Sequence, residues 1–364
     1  MNNGWNYISF IARTYIPLSE SRCGGAINVI KEQANVFVPD DIISIARLSG
    51  NYNLNKPFEP YLINNYTYYD YYFNLPILEE NASLKFDESG IAIVKYEDGY
   101  HYNPVTVAQQ ALGYYNHYQR TGDDKSLSAF FNDSEWFIDN QEENGSFPYD
   151  FQFELKPGLV LPSGFVSGMA QGQILSTLVR AYNLTKDVRY LETGNKALSF
   201  MLASGEEDMF AGCSKTLNDF CKQNERLFRY SDSIIFEEYV SEPSSYVLNG
   251  DLFALIGLYD WSKGSISSYG KEEASEGFAH GIKSLEVLLP YYDYYGWSAY
   301  DLMQYTYGSA VHLENNYAHN CHIYCLNTLA DVTGSDILQR YTDVFKDYVL
   351  DEFWRQTDVM YKED

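Results

Sequence analysis

Three short stretches bring acid, base and hydrogen-bonding side chains close together in sequence. FEEYVSEPSSYVLNG, residues 236–250, sets Glu237, Glu238 and Tyr239 just ahead of a proline and a helix-like run that ends at Asn249 and Gly250. A carboxylate beside a phenol is an acid–base pair, and a phenol with an ordinary pKa of about 10 needs such a neighbour to act at neutral pH. The same residues also read as a solvated pre-helical turn. GFVSGMAQGQ, residues 164–173, opens a helix with Ser167, Gly168, Gln171, Gly172 and Gln173. Amides at a helix start can bind hydroxyls or a carboxylate, aided by free backbone N–H groups, while the glycines equally permit tight helix packing. NNYAHNCHIYC, residues 315–325, spaces His319, His322 and Cys325 at intervals of three. A metal can use that spacing, but no second CxxC and no HExxH accompanies it, so no metal is assigned. Cys321 and Cys325 read as small buried side chains.

Long amphipathic segments must position these groups. From Pro104 onward apolar residues recur every three or four positions, which predicts helices over 104–121, 124–141, 165–185, 187–204, 244–263, 270–289, 309–333 and 335–355. HYQRTGDDKSL around Thr121, AYNLTKDVRYL around Thr185 and LADVTGSDILQ around Thr333 are similar joints, each a helix end, a threonine, a polar turn and a capping Asp or Ser. A looser fourth joint follows Ser262. Hairpins repeated in this way pack side by side into a toroid or solenoid. The long connections 142–164, 205–243 and 290–308 then share the end opposite the tight turns, the end at which a repeat barrel carries its site. The expected fold is mainly α, an incomplete (α/α) barrel of four helical hairpins with a small β-hairpin region near FDESGIAIVKYEDGYHY. Residues 1–72 read as an N-terminal extension and 73–364 as the barrel domain.

Composition narrows the partners. Twenty-five basic against 50 acidic side chains give a formal charge of −25, which opposes long-range attraction of nucleic acid or an anionic membrane. An anionic sugar must therefore meet a local cationic or amide-lined pocket, which screening over about 8 Å at physiological salt permits. The 35 tyrosines and 21 phenylalanines supply flat apolar faces and hydroxyls of the kind sugar-handling clefts use. Five cysteines are too few for a disulfide scaffold. MNNGWNYISFIARTYIPL lacks a basic start and has Arg13 inside its short apolar run, so it is not recognised as a signal peptide. No apolar run reaches about 18 residues. A soluble protein, cytoplasmic rather than secreted, is expected. No phosphate loop, GxSxG elbow or DxDxDG calcium loop appears.

SGMAQGQILSTLVRAYNLT, EEYVSEPSSYVLNGDLFALIGLYD, the YDL at 300–302 and the HI at 322–323, with YNPVTVAQQALG at 102–113 and WFIDNQEENG at 136–145, resemble the carboxy-terminal catalytic domain of the D-glucuronyl C5-epimerases, in the same order. The resemblance implies an incomplete (α/α) barrel that inverts C5 of glucuronic acid residues in a polysaccharide to give iduronic acid, without a cofactor. It implies a uronic-acid polymer as partner, heparosan-like, with no nucleic acid and no membrane span, and is compatible with a homodimer. The larger animal members also carry a β-rich region for which this chain has no room.

By the same resemblance Glu238 and Tyr239 match the family's EEY pair, Glu238 rather than Glu237 being the partner of the phenol, and Tyr300 matches the YDL tyrosine. Tyr317 is the further candidate acid, although counting back from His322 places Ala318 at the family's last active-site tyrosine. Candidate substrate-binding residues are Asn103, Tyr149, Gln171, Gln173, Arg180, Arg229, Asn249, His319 and His322. The family commonly reads YDLR, and here Met303 follows YDL, so the cation expected against a substrate carboxylate must come from elsewhere, with Arg180, Arg226 and Arg229 as candidates. Epimerisation beside a carboxylate needs a base on one face, an acid on the other, and donors or cations aimed at the developing dianion. A uronate lyase shares the first step. A glycoside hydrolase would pair Glu238 with Asp150 or Asp301 across a bond. A non-catalytic sugar-binding scaffold is the remaining alternative.

Overall fold

Identical local chemistry closes three of the four helical hairpins. The computed structural model describes residues 71–350 apart from 73, 74, 76, 224, 295, 314 and 315, together with the backbone of two short antiparallel strands, Trp5–Ser9 and Asn35–Pro39. Most of the expected extension 1–72 lies outside the described residues. Helices α1 (Pro104–Thr121) and α2 (Asp124–Asp139), α3 (Gly168–Thr185) and α4 (Val188–Leu202), α5 (Leu248–Gly264) and α6 (Lys271–Tyr292), and α7 (Asn316–Thr333) and α8 (Asp336–Leu350) form the pairs. At the first, second and fourth joints a threonine hydroxyl donates to the carbonyl four residues back, Thr121 to His117 at 2.7 Å, Thr185 to Ala181 at 2.8 Å and Thr333 to Leu329 at 2.6 Å. The same oxygen accepts the N–H two residues on, from Asp123, Asp187 and Ser335. Each oxygen thus satisfies one donor that the turn exposes. The residue between, Gly122, Lys186 or Gly334, takes a left-handed conformation that ends the helix.

The first helix of each pair lines the inside, in the order α1, α3, α5, α7, and the second packs outside it. That is the incomplete (α/α) toroid the sequence predicts. Helices α3 and α5 are buried almost all round, and their backbones touch: a Cβ on Gly257 would lie 2.1 Å from the Gly172 carbonyl oxygen. Tyr71 and Tyr72, assigned to the extension from the sequence, instead belong to the helical core, with Arg180 4.9 Å from the Tyr71 ring and the Tyr72 hydroxyl donating to Asp260 at 2.6 Å.

Three expected helix starts are displaced, and the one expected at 165 falls at Gly168 behind its cap Ser167. Helix 244–263 begins at Leu248 because the N–H groups of Ser244, Ser245 and Tyr246 are taken by the carboxylates of Asp219 and Glu237. Helix 309–333 begins at Asn316 because the chain before it pairs with the YDL segment, Ala299 bridging Leu313 and Tyr300 donating to the His312 carbonyl at 2.7 Å. The expected β region is a three-stranded antiparallel sheet, Leu84–Phe86, Ala92–Lys95 and Tyr100–Tyr102. Two of the long connections fold into hairpins, Phe153–Lys156 with Leu159–Leu161, and Ser214–Thr216 with Ile234–Phe236. Among the described residues no helix is long and apolar enough to cross a membrane.

Candidate active site

The long connections deliver side chains to the amino-terminal ends of the inner helices. Strand Ile234–Phe236 runs straight into Glu237, whose N–H donates to Cys213 and whose carbonyl accepts from Gly168 at 2.7 Å. A Cβ at Gly168 would stand 2.7 Å from that carbonyl oxygen, so the start of α3 is held against the acidic pair. Successive residues of an extended chain face opposite ways. Glu237 is fully buried and accepts from the Ser245 hydroxyl at 2.6 Å and the Tyr246 N–H at 3.0 Å, which shapes the turn before α5. Glu238 faces the first turn of α5 and packs on Gly250.

Burial pushes the Glu238 carboxyl up to about 7, against the hydrogen-bonding pull of Tyr239 and Tyr300 and with the help of the Glu237 charge. Both phenols therefore converge on one carboxylate. Their contacts with it are not of regular geometry throughout, since Glu238 Oε2 is buried without a partner that meets ordinary hydrogen-bond criteria. Burial, followed by the charge of Glu238, raises the Tyr239 phenol well above its usual range, so it is neutral at physiological pH.

Tyr300 is fixed by its backbone, which donates to His312 and accepts from Leu248 at 2.9 Å, while its ring stands edge-on to His312 at 4.8 Å. His319 and His322 support this segment from behind. His319 Nε2 lies 2.9 Å from the Phe345 carbonyl, which only accepts, so that nitrogen carries the proton. Its Nδ1 then accepts from the Ser298 hydroxyl at 2.6 Å, and the same oxygen accepts from His322 Nδ1 at 2.8 Å. Burial pulls His319 down to about 3 and His322 well below its ordinary value, so both stay neutral. Among the described residues no three potential ligands group as a metal site.

Tyr149 belongs to the apolar cluster against which Tyr239 packs. Its ring stacks on Phe165 at 4.4 Å, its hydroxyl donates to Asn103 Oδ1 at 3.3 Å, and the charge of Glu238 contributes to raising its pKa. Asn103 caps α1 through Val105 and Thr106 and donates from Nδ2 to the Tyr96 hydroxyl at 2.8 Å. Phe153 stacks on Tyr239 at 5.5 Å, so the hairpin Phe153–Leu161 lies over the site. The neutral phenols of Tyr239 and Tyr149 flank a carboxyl that titrates near neutrality, which suits proton transfer to and from carbon.

The structure separates the other candidates. Gln171 is buried and donates to the Gly145 and Ala197 carbonyls, tying a loop to α4. Gln173 is buried with both amide atoms unpartnered. Arg180 pairs with Asp260 inside the barrel, far along α3 from its start. Arg229 lies exposed over the Tyr230 ring at 4.7 Å. Asn249 sits in the first turn of α5, beside Gly250, with a buried and unpartnered Oδ1. Tyr317 falls in the first turn of α7; its side chain and that of Arg226 lie outside the described residues. Of the acids weighed as a hydrolase partner of Glu238, Asp150 contacts His101 at the exposed rim, and Asp301 accepts from Met303 N–H and contacts His312. Sequence reasoning missed Tyr96, Phe153 and His312: the first two pack in the apolar cluster that holds Tyr239, His312 stands against the Tyr300 ring, and none carries a motif of its own.

Residues 141–347 match the family model described as D-glucuronyl C5-epimerase C-terminus, more than half of the chain. A D-glucuronyl C5-epimerase of Caenorhabditis elegans is 31% identical over 224 residues, 59% of this chain and 34% of that protein. An uncharacterized protein of Methanocaldococcus jannaschii is 29% identical over 193 residues, 53% of this chain and 54% of that protein. The chain thus spans about a third to a half of the length of these relatives. The first hairpin, α1 and α2, precedes the matched span.

Proposed function

From a chain that belongs to the D-glucuronyl C5-epimerase C-terminal family, we propose an epimerase that inverts C5 of glucuronic acid residues in a heparosan-like polysaccharide to give iduronic acid. The observation that carries this reading is the buried Glu238 carboxyl, packed on Gly250 at the start of α5 with the Tyr239 and Tyr300 phenols both acting on it.

The reaction follows from that arrangement with side-chain acids and bases alone. The Tyr239 oxygen takes the C5 proton while its own proton passes to Glu238, and the C–H electron pair enters the substrate carboxylate as an enediolate. Tyr300 delivers its proton to the opposite face of C5. Glu238 then returns its proton to the Tyr300 oxygen, so charge and protonation are restored after one turnover. Each positioned acid or base contributes about 10²- to 10⁴-fold. Tyr317 is the alternative donor on the second face, which a Tyr317→Phe variant would identify.

The experiment is incubation of the protein in D₂O with heparosan and other glucuronans, read by NMR. Deuterium at C5 together with iduronate is expected; absence of both with every glucuronan would refute the proposal. A new absorbance near 230 nm, on the order expected of a conjugated uronate, would instead indicate elimination through the same first step.

A further inference from the structure

The hairpin over Tyr239 changes register between Glu154 and Lys156, and a bulge of this kind re-aims the side chain beside it. Lys156 reaches across the cleft, its Nζ 3.8 Å from the centroid of the Tyr307 ring. Tyr307 directly follows the short helix Met303–Thr306, and its N–H donates to the Met303 carbonyl at 2.8 Å.

Among the described residues Lys156 forms no salt bridge, whereas Lys215 is held by Glu206 and Glu242 and Arg180 by Asp260. Burial lowers the Lys156 pKa, against the opposing charge of Asp301, the neighbour of Tyr300. A lysine is a compact point charge on a flexible stem, suited to one carboxylate and able to follow it as charge grows.

We propose that Lys156 binds the carboxylate of the substrate uronate, a cation delivered by the hairpin whose Phe153 stacks on Tyr239 and whose register shift falls at Lys156. This rests on the epimerase reading above. As the C5 proton leaves, charge moves onto the carboxylate oxygens, and a cation held against them in a partly dry cleft stabilises the enediolate more than the ground state.

The test compares a glucuronan oligosaccharide with its carboxyl-reduced, neutral counterpart, measuring Kd by calorimetry and C5 deuterium incorporation by NMR. The wild-type protein is expected to prefer the charged sugar by about 10- to 100-fold, in keeping with one charge-assisted contact. Lys156→Met should abolish that preference, raise KM by a similar factor and slow C5 deuterium incorporation at saturating substrate as well, and Lys156→Arg should keep most of each. A wild-type protein without the preference, or a Lys156→Met variant that retains it with unchanged KM, overturns the assignment while leaving the epimerase reading intact. A wild-type protein that neither binds nor labels any glucuronan overturns both.

Discussion

The side chain of Glu238 lies on Gly250: a Cβ added there would stand 2.3 Å from Glu238 Cβ and 2.8 Å from its Oε2. Glycine at the start of α5 is thus a space requirement of the acid that Tyr239 and Tyr300 share. Gly250→Ala should displace Glu238 while leaving the helix formed, because alanine is the better helix residue. A fall of about 10²-fold in C5 exchange with a folded far-UV spectrum is expected, in line with the sensitivity of proton transfer to small misplacements. Undiminished exchange would show that the carboxylate can act from elsewhere.

The two phenols have separable roles. Tyr239→Phe and Tyr300→Phe should each lower turnover by about 10²- to 10⁴-fold and change oligosaccharide Kd by much less. If each protein is offered a substrate of one C5 configuration in D₂O, the variants should differ in which epimer is still labelled. Equal labelling of both epimers by both variants would contradict a two-face mechanism.

The pH profile follows from the raised carboxyl. Glu238 must be ionised to receive the phenol proton, and burial lifts its pKa to about 7. Turnover should therefore fall as pH drops through 7 and stay level above it, since Tyr239 titrates well above the ordinary phenol range. A profile of kcat/KM between pH 5 and 9 checks this. An acidic limb near the ordinary glutamate value of about 4.3 would place Glu238 in a wetter site than the structure gives it.

Stability depends on the seam between α3 and α5. Gly257→Ala inserts a methyl 2.1 Å from the Gly172 carbonyl oxygen, backbone that cannot give way as a flexible side chain would. A loss of about 3 kcal/mol or more is expected, measured as a lowered urea midpoint, well outside the usual surface range. An unchanged midpoint would mean the two helices can slide apart at little cost.

The sequence by itself determined the helical hairpins and their joints, because the bonds that make them lie within a few residues: Thr121, Thr185 and Thr333 each bond a carbonyl four back and an N–H two on. The family resemblance picked out the EEY and YDL blocks as candidate chemistry, and the hairpin repeat picked out the long connections as the end expected to bear it. The resemblance already preferred Glu238 to Glu237, and only the tertiary structure supplied the physical reason: Glu237 is consumed by Ser245 and Tyr246, while Glu238, in the bend after the strand, packs on Gly250 at the start of α5. The tertiary structure likewise placed Arg180 on Asp260, 80 residues away, and brought Lys156 over Tyr307. Local periodicity records which face of an element is apolar; partners separated by tens of residues are chosen when the hairpins pack, and their geometry leaves no short-range pattern.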